Sequence, residues 1–178
     1  MTRVFTAYSD GRFDLDGRRV RCALGKGGVV AAADKREGDG ATPLGRWTMR
    51  RVLWRPDRGP KPRTTLKVAP IAPDDGWCDD PKDAAYNKPV KLPHAGGHEK
   101  MWRKDELYDL VLVLGYNDDP VRPGRGSAIF LHVARPNFSP TLGCIALAKP
   151  DVYELLAKAW PGDAVAVADA VSLAPGFD

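Results

Sequence analysis

The sequence has no long apolar run. No window approaches the ~18 continuous apolar residues of a membrane-spanning helix, so no membrane span is expected. The first residues, Met1-Thr2-Arg3-Val4-Phe5, carry no apolar core of a secretory signal, and none is expected there. Runs of Lys or Arg are missing too, as is any module that interleaves basic and aromatic residues. Net charge is only +4, from 27 basic and 23 acidic residues, which argues against a nucleic-acid partner. So mild an excess suits a small anionic substrate such as a carboxylated peptide.

Cysteine and histidine are scarce, with three of each. An odd number leaves at least one thiol unpaired within the monomer. Cys22 and Cys78 could form a disulfide in an oxidising compartment, but free cysteine packs as a small hydrophobe and two buried thiols are the favoured reading. A zinc set would have to use His94, His98, His132 and a cysteine. His94 and His98 are four apart, yet Gly96-Gly97 lies between them and opposes a helical pair. No metal and no cofactor are expected.

What is present reads as short strands. The 178 residues suit one domain, 1–178, with enough length for a substantial core. Val4 to Tyr8, Phe13 to Leu15 and Arg19 to Leu24 are separated by the turns Ser9-Asp10-Gly11 and Asp16-Gly17. Lys35 to Gly45 is a long polar loop, a kind usually functional or disordered. Arg46 to Trp54 reads as a strand. About 55–105 reads as an insertion or lid, rich in proline and weak in periodicity, with one short helix. Its tryptophans and polar groups suit a ligand wall. Leu107 to Tyr116 is nearly all apolar, as a strand buried on both faces is. Pro150 to Trp160 has apolar residues at Val152, Leu155, Leu156 and Ala159, which predicts an amphipathic helix stopped by Pro161-Gly162. Ala164 to Ala168 closes the chain as a strand. The sum is a mostly-β sandwich or barrel-like sheet with one or two helices.

The chemistry concentrates in one stretch. Ala128 to Ala134 is an apolar strand holding His132. A loop with Pro136 and Pro140 follows, and the chain returns through Thr141-Leu142-Gly143-Cys144-Ile145. A base beside a thiol is the ordinary arrangement for an activated cysteine nucleophile. The amides of Gly143 and Cys144 could face the oxygen of a tetrahedral intermediate, and Thr141 could bond the site or shape the turn. The pH–rate profile is expected to rise as the pair reaches its reactive state, and a profile flat from about pH 5 to 9, where such groups titrate, would count against the pair. Taken alone, one Cys and one His at this spacing favour a structural cysteine at a strand start, since buried inert cysteine is common.

Gly40-Ala41-Thr42-Pro43-Leu44-Gly45-Arg46-Trp47, then a strand with a histidine, then Thr-x-Gly-Cys-hydrophobic, together resemble the L,D-transpeptidase (YkuD-like) catalytic domain. His before Cys also differs from papain-like peptidases, where Cys comes first. The resemblance implies a YkuD-like fold and a cysteine acyltransferase acting on donor and acceptor peptidoglycan stem peptides. Cys144 would be the nucleophile, His132 the base and Gly143 part of the catalytic turn. A hydrolytic relative (L,D-carboxypeptidase or endopeptidase) or a non-catalytic wall-binding domain are the alternatives. The resemblance also implies a periplasmic or cell-envelope location, by way of a longer precursor or a non-standard export route. Arg122, Arg125 and Arg135 could pair with stem carboxylates. Leu142, Val133 and Ala146 depart from the common motif and resemble a subgroup making 1–3 rather than 3–3 linkages. Tyr86, Asn87, Trp77, His98 and Trp102, with Thr141 and Arg135, are the candidate substrate wall.

Overall fold

The structure is a computed structural model that describes residues 2–170. In chain order the elements are β1 (Val4–Tyr8), β2 (Arg12–Leu15), β3 (Arg18–Ala23), β4 (Val29–Ala31), β5 (Thr42–Trp54), β6 (Val68–Pro70), β7 (Asp75–Cys78), β8 (Pro89–Lys91), β9 (His98–Lys100), β10 (Leu110–Leu114), β11 (Phe130–Val133), β12 (Ile145–Leu147), α1 (Lys149–Lys158) and β13 (Ala164–Ala168). The mostly-β reading holds. Strands β1 to β3 form where alternation places them, and Asp16-Gly17 turns with φ of 56° and 89°, the left-handed pair a two-residue hairpin needs.

Ten strands form one sheet in the order β10-β11-β12-β3-β2-β1-β13-β5-β4, with β6 also on β5. Strand β5 is long enough to serve twice. Gly45 to Thr48 pair with β13, and Met49 to Trp54 pair with β10. That double pairing joins the two ends of the path and makes the sheet barrel-like. Strand β5 begins at Thr42, so the Thr-Pro-Leu-Gly segment expected in a loop is the start of a strand, held by parallel β4.

Alternation along the central strands creates two cores. Leu110, Leu112, Leu114, Leu131, Val133, Ile145 and Leu147 face the main core with Val152, Leu155 and Leu156 of α1. Burying each such side chain contributes about 1.5–3 kcal/mol. Val111, Val113, Phe130 and Cys144 face the other way, into a second cluster with Ile71, Trp77, Met101 and Tyr108. Helix α1 starts within a residue of its expected position, with Pro150 in the first turn, and ends at Lys158.

The second cluster is covered by a separate three-stranded sheet, β8-β7-β9. This is the region expected to hold a short helix. Among the described residues α1 is the only α-helix, and the expected one is absent. Carboxylates compete for its backbone amides: Asp80 accepts from Lys82 N–H at 2.9 Å and Asp83 from Ala85 N–H at 2.7 Å, closing turns instead of a helix. Asn87 ties the small sheet to the large one. Its side chain accepts from Trp77 Nε1–H at 3.0 Å and Ala128 N–H at 2.9 Å, and donates to the carbonyls of Tyr116 at 3.2 Å and Asn117 at 2.8 Å. Asn87→Ala would orphan two buried donors, and the expected cost is about 2–4 kcal/mol by urea denaturation. A loss below about 0.5 kcal/mol, the size of an ordinary surface change, would show that Asn87 is no brace.

Candidate active site

Parallel strands β11 and β12 bring the histidine and the thiol to one face. Leu131 is paired with Ile145 and His132 with Ala146. Cys144 lies two residues before Ala146, so it shares the face of His132, as period-two alternation requires. Both side chains line one cavity of about 630 Å³ and are themselves 3% and 8% exposed.

The turn that presents Cys144 is held from three sides. The Thr141 hydroxyl accepts from Gly143 N–H at 3.1 Å and donates to the Cys144 carbonyl at 2.7 Å. Thr141 N–H donates to Leu24 O at 2.9 Å, and Lys26 N–H to Thr141 O at 2.8 Å. Gly25 N–H donates in turn to the fully buried Thr42 hydroxyl at 2.9 Å. The Thr-Pro segment and the Cys turn are thus two ends of one network through residues 24–26. Gly143 sits at φ 133°, and a Cβ there would lie 2.9 Å from the Ala41 carbonyl oxygen. Only glycine suits that close approach. Thr141→Val would orphan Gly143 N–H and the Cys144 carbonyl, with an expected loss of about 2 kcal/mol in urea denaturation.

Hydrogen bonding sets the protonation of the pair. His132 Nδ1 lies 2.9 Å from Val133 O, a carbonyl that can only accept. Nδ1 therefore carries the proton in the neutral ring, and Nε2 keeps its lone pair. The Cys144 thiol donates to Ala128 O at 3.1 Å. Burial pushes His132 down to about 4 and Cys144 up to about 12. The resting pair is a thiol and a neutral imidazole across neutral pH.

Charges of both signs surround this pair. Glu37, Asp79 and Glu99 line the cavity, as do Lys26, Lys35, Arg103 and Arg135. Glu37 accepts from Tyr86 Oη at 2.5 Å and Ser127 Oγ at 2.7 Å. Glu99 accepts from Tyr108 Oη at 2.6 Å, and burial raises its carboxyl above the ordinary range. The Tyr108 ring stands edge-on to His132, with centroids 5.3 Å apart. The cavity can hold a zwitterionic ligand against a buried thiol and base.

The model of one protein family, the YkuD L,D-transpeptidase catalytic domain, matches residues 2–167. The chain belongs to that L,D-transpeptidase family. Searches of curated proteins and of solved structures found no match.

Around this L,D-transpeptidase cavity the candidate residues separate into two groups. Cys144, His132, Thr141 and Arg135 line it, and Gly143 lies in the turn behind Cys144. Tyr86, Asn87 and Trp77 do not line it. Tyr86 is buried and bonds Glu37 and Gly126 N–H, while Trp77 packs edge-on against Phe130 at 4.9 Å. Together with Asn87 they form the support behind the wall. His98 lines a different hollow with His94 and Lys100, and Trp102 lies under the Arg55 guanidinium at 3.6 Å. Arg125 donates to Ala33 O, and neither it nor Arg122 lines the cavity. Cys22 and Cys78 are separate buried thiols. Sequence reasoning missed Glu99, Tyr108 and Arg103. No motif marks them, because β9 and the 103–108 segment meet the Cys turn only through tertiary packing.

Proposed function

We propose that the protein is a peptidoglycan L,D-transpeptidase that joins stem peptides through a thioester on Cys144. The observation that carries this is the His132 tautomer: Nδ1–H is committed to Val133 O, so Nε2 is a base in the same cavity as the thiol. The S–H bond turns from Ala128 O toward Nε2, and His132 takes the proton as sulfur bonds the carbonyl carbon of the donor's L-centre. The Cys144 amide is the donor for the resulting oxyanion. The Gly143 amide is already used by Thr141, so it shapes the turn instead. Collapse breaks the C–N bond, and the imidazolium returns its proton to the departing D-alanine amine. An acceptor amine then attacks the thioester, gives its proton to His132, and the thiol re-forms.

The mixed charge of the cavity supports this substrate class, since a diaminopimelate end carries both an ammonium and a carboxylate. Glu99 and Asp79 face the first, and Arg103 and Arg135 the second. A neighbouring hollow of about 580 Å³ shares Leu107 and Arg135 with the cavity and supplies room for the acceptor. The reading places the protein in the cell envelope, where that substrate is. Incubation with purified muropeptides tests it by mass. Dimers that have lost D-alanine are expected, with fragmentation assigning a 3–3 or 1–3 bond. Shortened monomers alone would make the protein a carboxypeptidase, and unchanged muropeptides would overturn the assignment.

A further inference from the structure

The hollow side of the small sheet holds a second cluster that the acyl-transfer chemistry does not use. Cys78 ends β7, Asp83 lies in the following turn, and His94 comes after β8. One donor atom from each lies within 4.8 Å of the other two. We propose that Cys78, Asp83 and His94 form a metal site for a zinc-type divalent cation, distinct from the active-site thiol and independent of the transpeptidase reading.

Three observations meet here. His94 Nε2 is sealed from solvent and, among the described residues, has no partner aligned as a hydrogen bond. It approaches Asp83 Oδ2 at 2.9 Å, close enough for charge attraction but not aligned as a hydrogen bond. A buried ring nitrogen left this way is costly unless something else takes its lone pair. Second, the groups converge on a residue with no side chain. A Cβ on Gly96 would fall 2.6 Å from Asp83 Oδ2 and 3.2 Å from His94 Nε2. Third, Asp79 and Asp80 follow Cys78 directly in the chain, so with Asp83 three carboxylates flank the cluster, surroundings that suit a divalent cation. A thiol that coordinates such an ion loses its proton to solvent as the metal–sulfur bond forms.

The donor set chooses the metal. One sulfur, one imidazole nitrogen and one carboxylate oxygen suit zinc, with bonds of about 2.3, 2.0 and 2.0 Å. Calcium and magnesium prefer oxygen alone. Three protein ligands leave a fourth position to water. The sequence pairs His94 with His98 by spacing, but His98 is turned aside, its Nδ1 on Gly96 O at 2.8 Å, and His94 meets Cys78 and Asp83 instead. The consequence reaches the active site. Asp79 follows Cys78 directly, and Glu99 lies on β9, paired to β7; both line the catalytic cavity. A metal here staples the sheet that carries them.

Metal titration of the whole chain tests this, with zinc and cobalt alone as probes. The Cys144→Ala protein removes the competing thiol. It is expected to bind one zinc, to gain thermal stability from it, and to show a thiolate-to-cobalt absorption band. Adding Cys78→Ser or His94→Ala should abolish the band or weaken zinc binding by at least about 10–100-fold, the loss that even outer partners of a metal ligand cause. Circular dichroism confirms that each variant is folded, and His94, only partly buried, is the milder change. Absence of the band in Cys144→Ala, or its persistence when Cys78 and Cys144 are both replaced, overturns the site.

Discussion

The Cys144→Ala protein is expected to remain folded and to lose acyl transfer by roughly 10^4–10^6-fold, the scale seen when a covalent nucleophile is removed. The thiol donates to Ala128 O, and its removal leaves a small gap in the cluster that holds Phe130 without touching the Thr141 bonds that shape the turn. The Thr141 bonds that shape the turn use backbone atoms and survive the change. If Cys144 is the acylated nucleophile proposed above, a carbapenem, as an acylating β-lactam, is expected to leave one equivalent of label on the parent protein and none on the variant. The other thiols are poor competitors. Cys22 is buried in the main core and burial pushes it up to about 12, and Cys78 is shifted in the same direction. Neither lines the cavity that holds the His132 base, whereas Cys144 shares that cavity and can pass its proton to the imidazole as it attacks. Label retained by Cys144→Ala would remove Cys144 from the mechanism.

Replacing His132 by Gln should lower acyl transfer by about 10^2–10^4-fold, the usual contribution of a positioned general base. The pH profile is the sharper test. An unburied histidine would give an acid limb near pH 6.5. Burial moves that limb of kcat/KM to about pH 4, with a plateau through neutrality, so the rise expected from the sequence between about pH 5 and 9 is replaced by a flat profile there, and flatness no longer counts against the pair. Stability follows the same group. Unfolded histidine protonates near pH 6.5 and folded His132 only near pH 4, so between these values the unfolded chain binds more protons. Stability is therefore full above about pH 6.5 and falls with pH, by about 3 kcal/mol once below pH 4. The Gln variant lacks this slope. Equal acid sensitivity of parent and variant, measured by urea denaturation across the range, would contradict the buried neutral imidazole.

Local patterns were legible where local physics decides. Alternation in β1 to β3, the unbroken apolar run of β10 and the apolar spacing in α1 report which faces are buried. His132 and Cys144 were legible as a strand and a glycine-cysteine turn close in sequence, but the 134–144 connection crosses over and sets β12 parallel to β11 instead of reversing the chain. The rest needed tertiary contacts. Nothing in Thr42 itself says that its hydroxyl accepts from Gly25 and so props up the turn at Thr141. The wall candidates Trp77, Tyr86 and Asn87 mix aromatic and polar groups as a ligand site does, but those polar atoms are spent on one another and on backbone. Glu99 has no sequence signal, since β9 is three residues long and owes its place to pairing with β7.

The proposed transfer passes through a thioester at one sulfur. Intact-protein and peptide mass spectrometry after brief exposure to a tetrapeptide muropeptide donor, without acceptor, reads it directly. The expected result is an adduct equal to the donor minus D-alanine, located on the peptide that contains Cys144. An adduct on Cys22 or Cys78, or dimeric product formed by protein lacking Cys144, would contradict it.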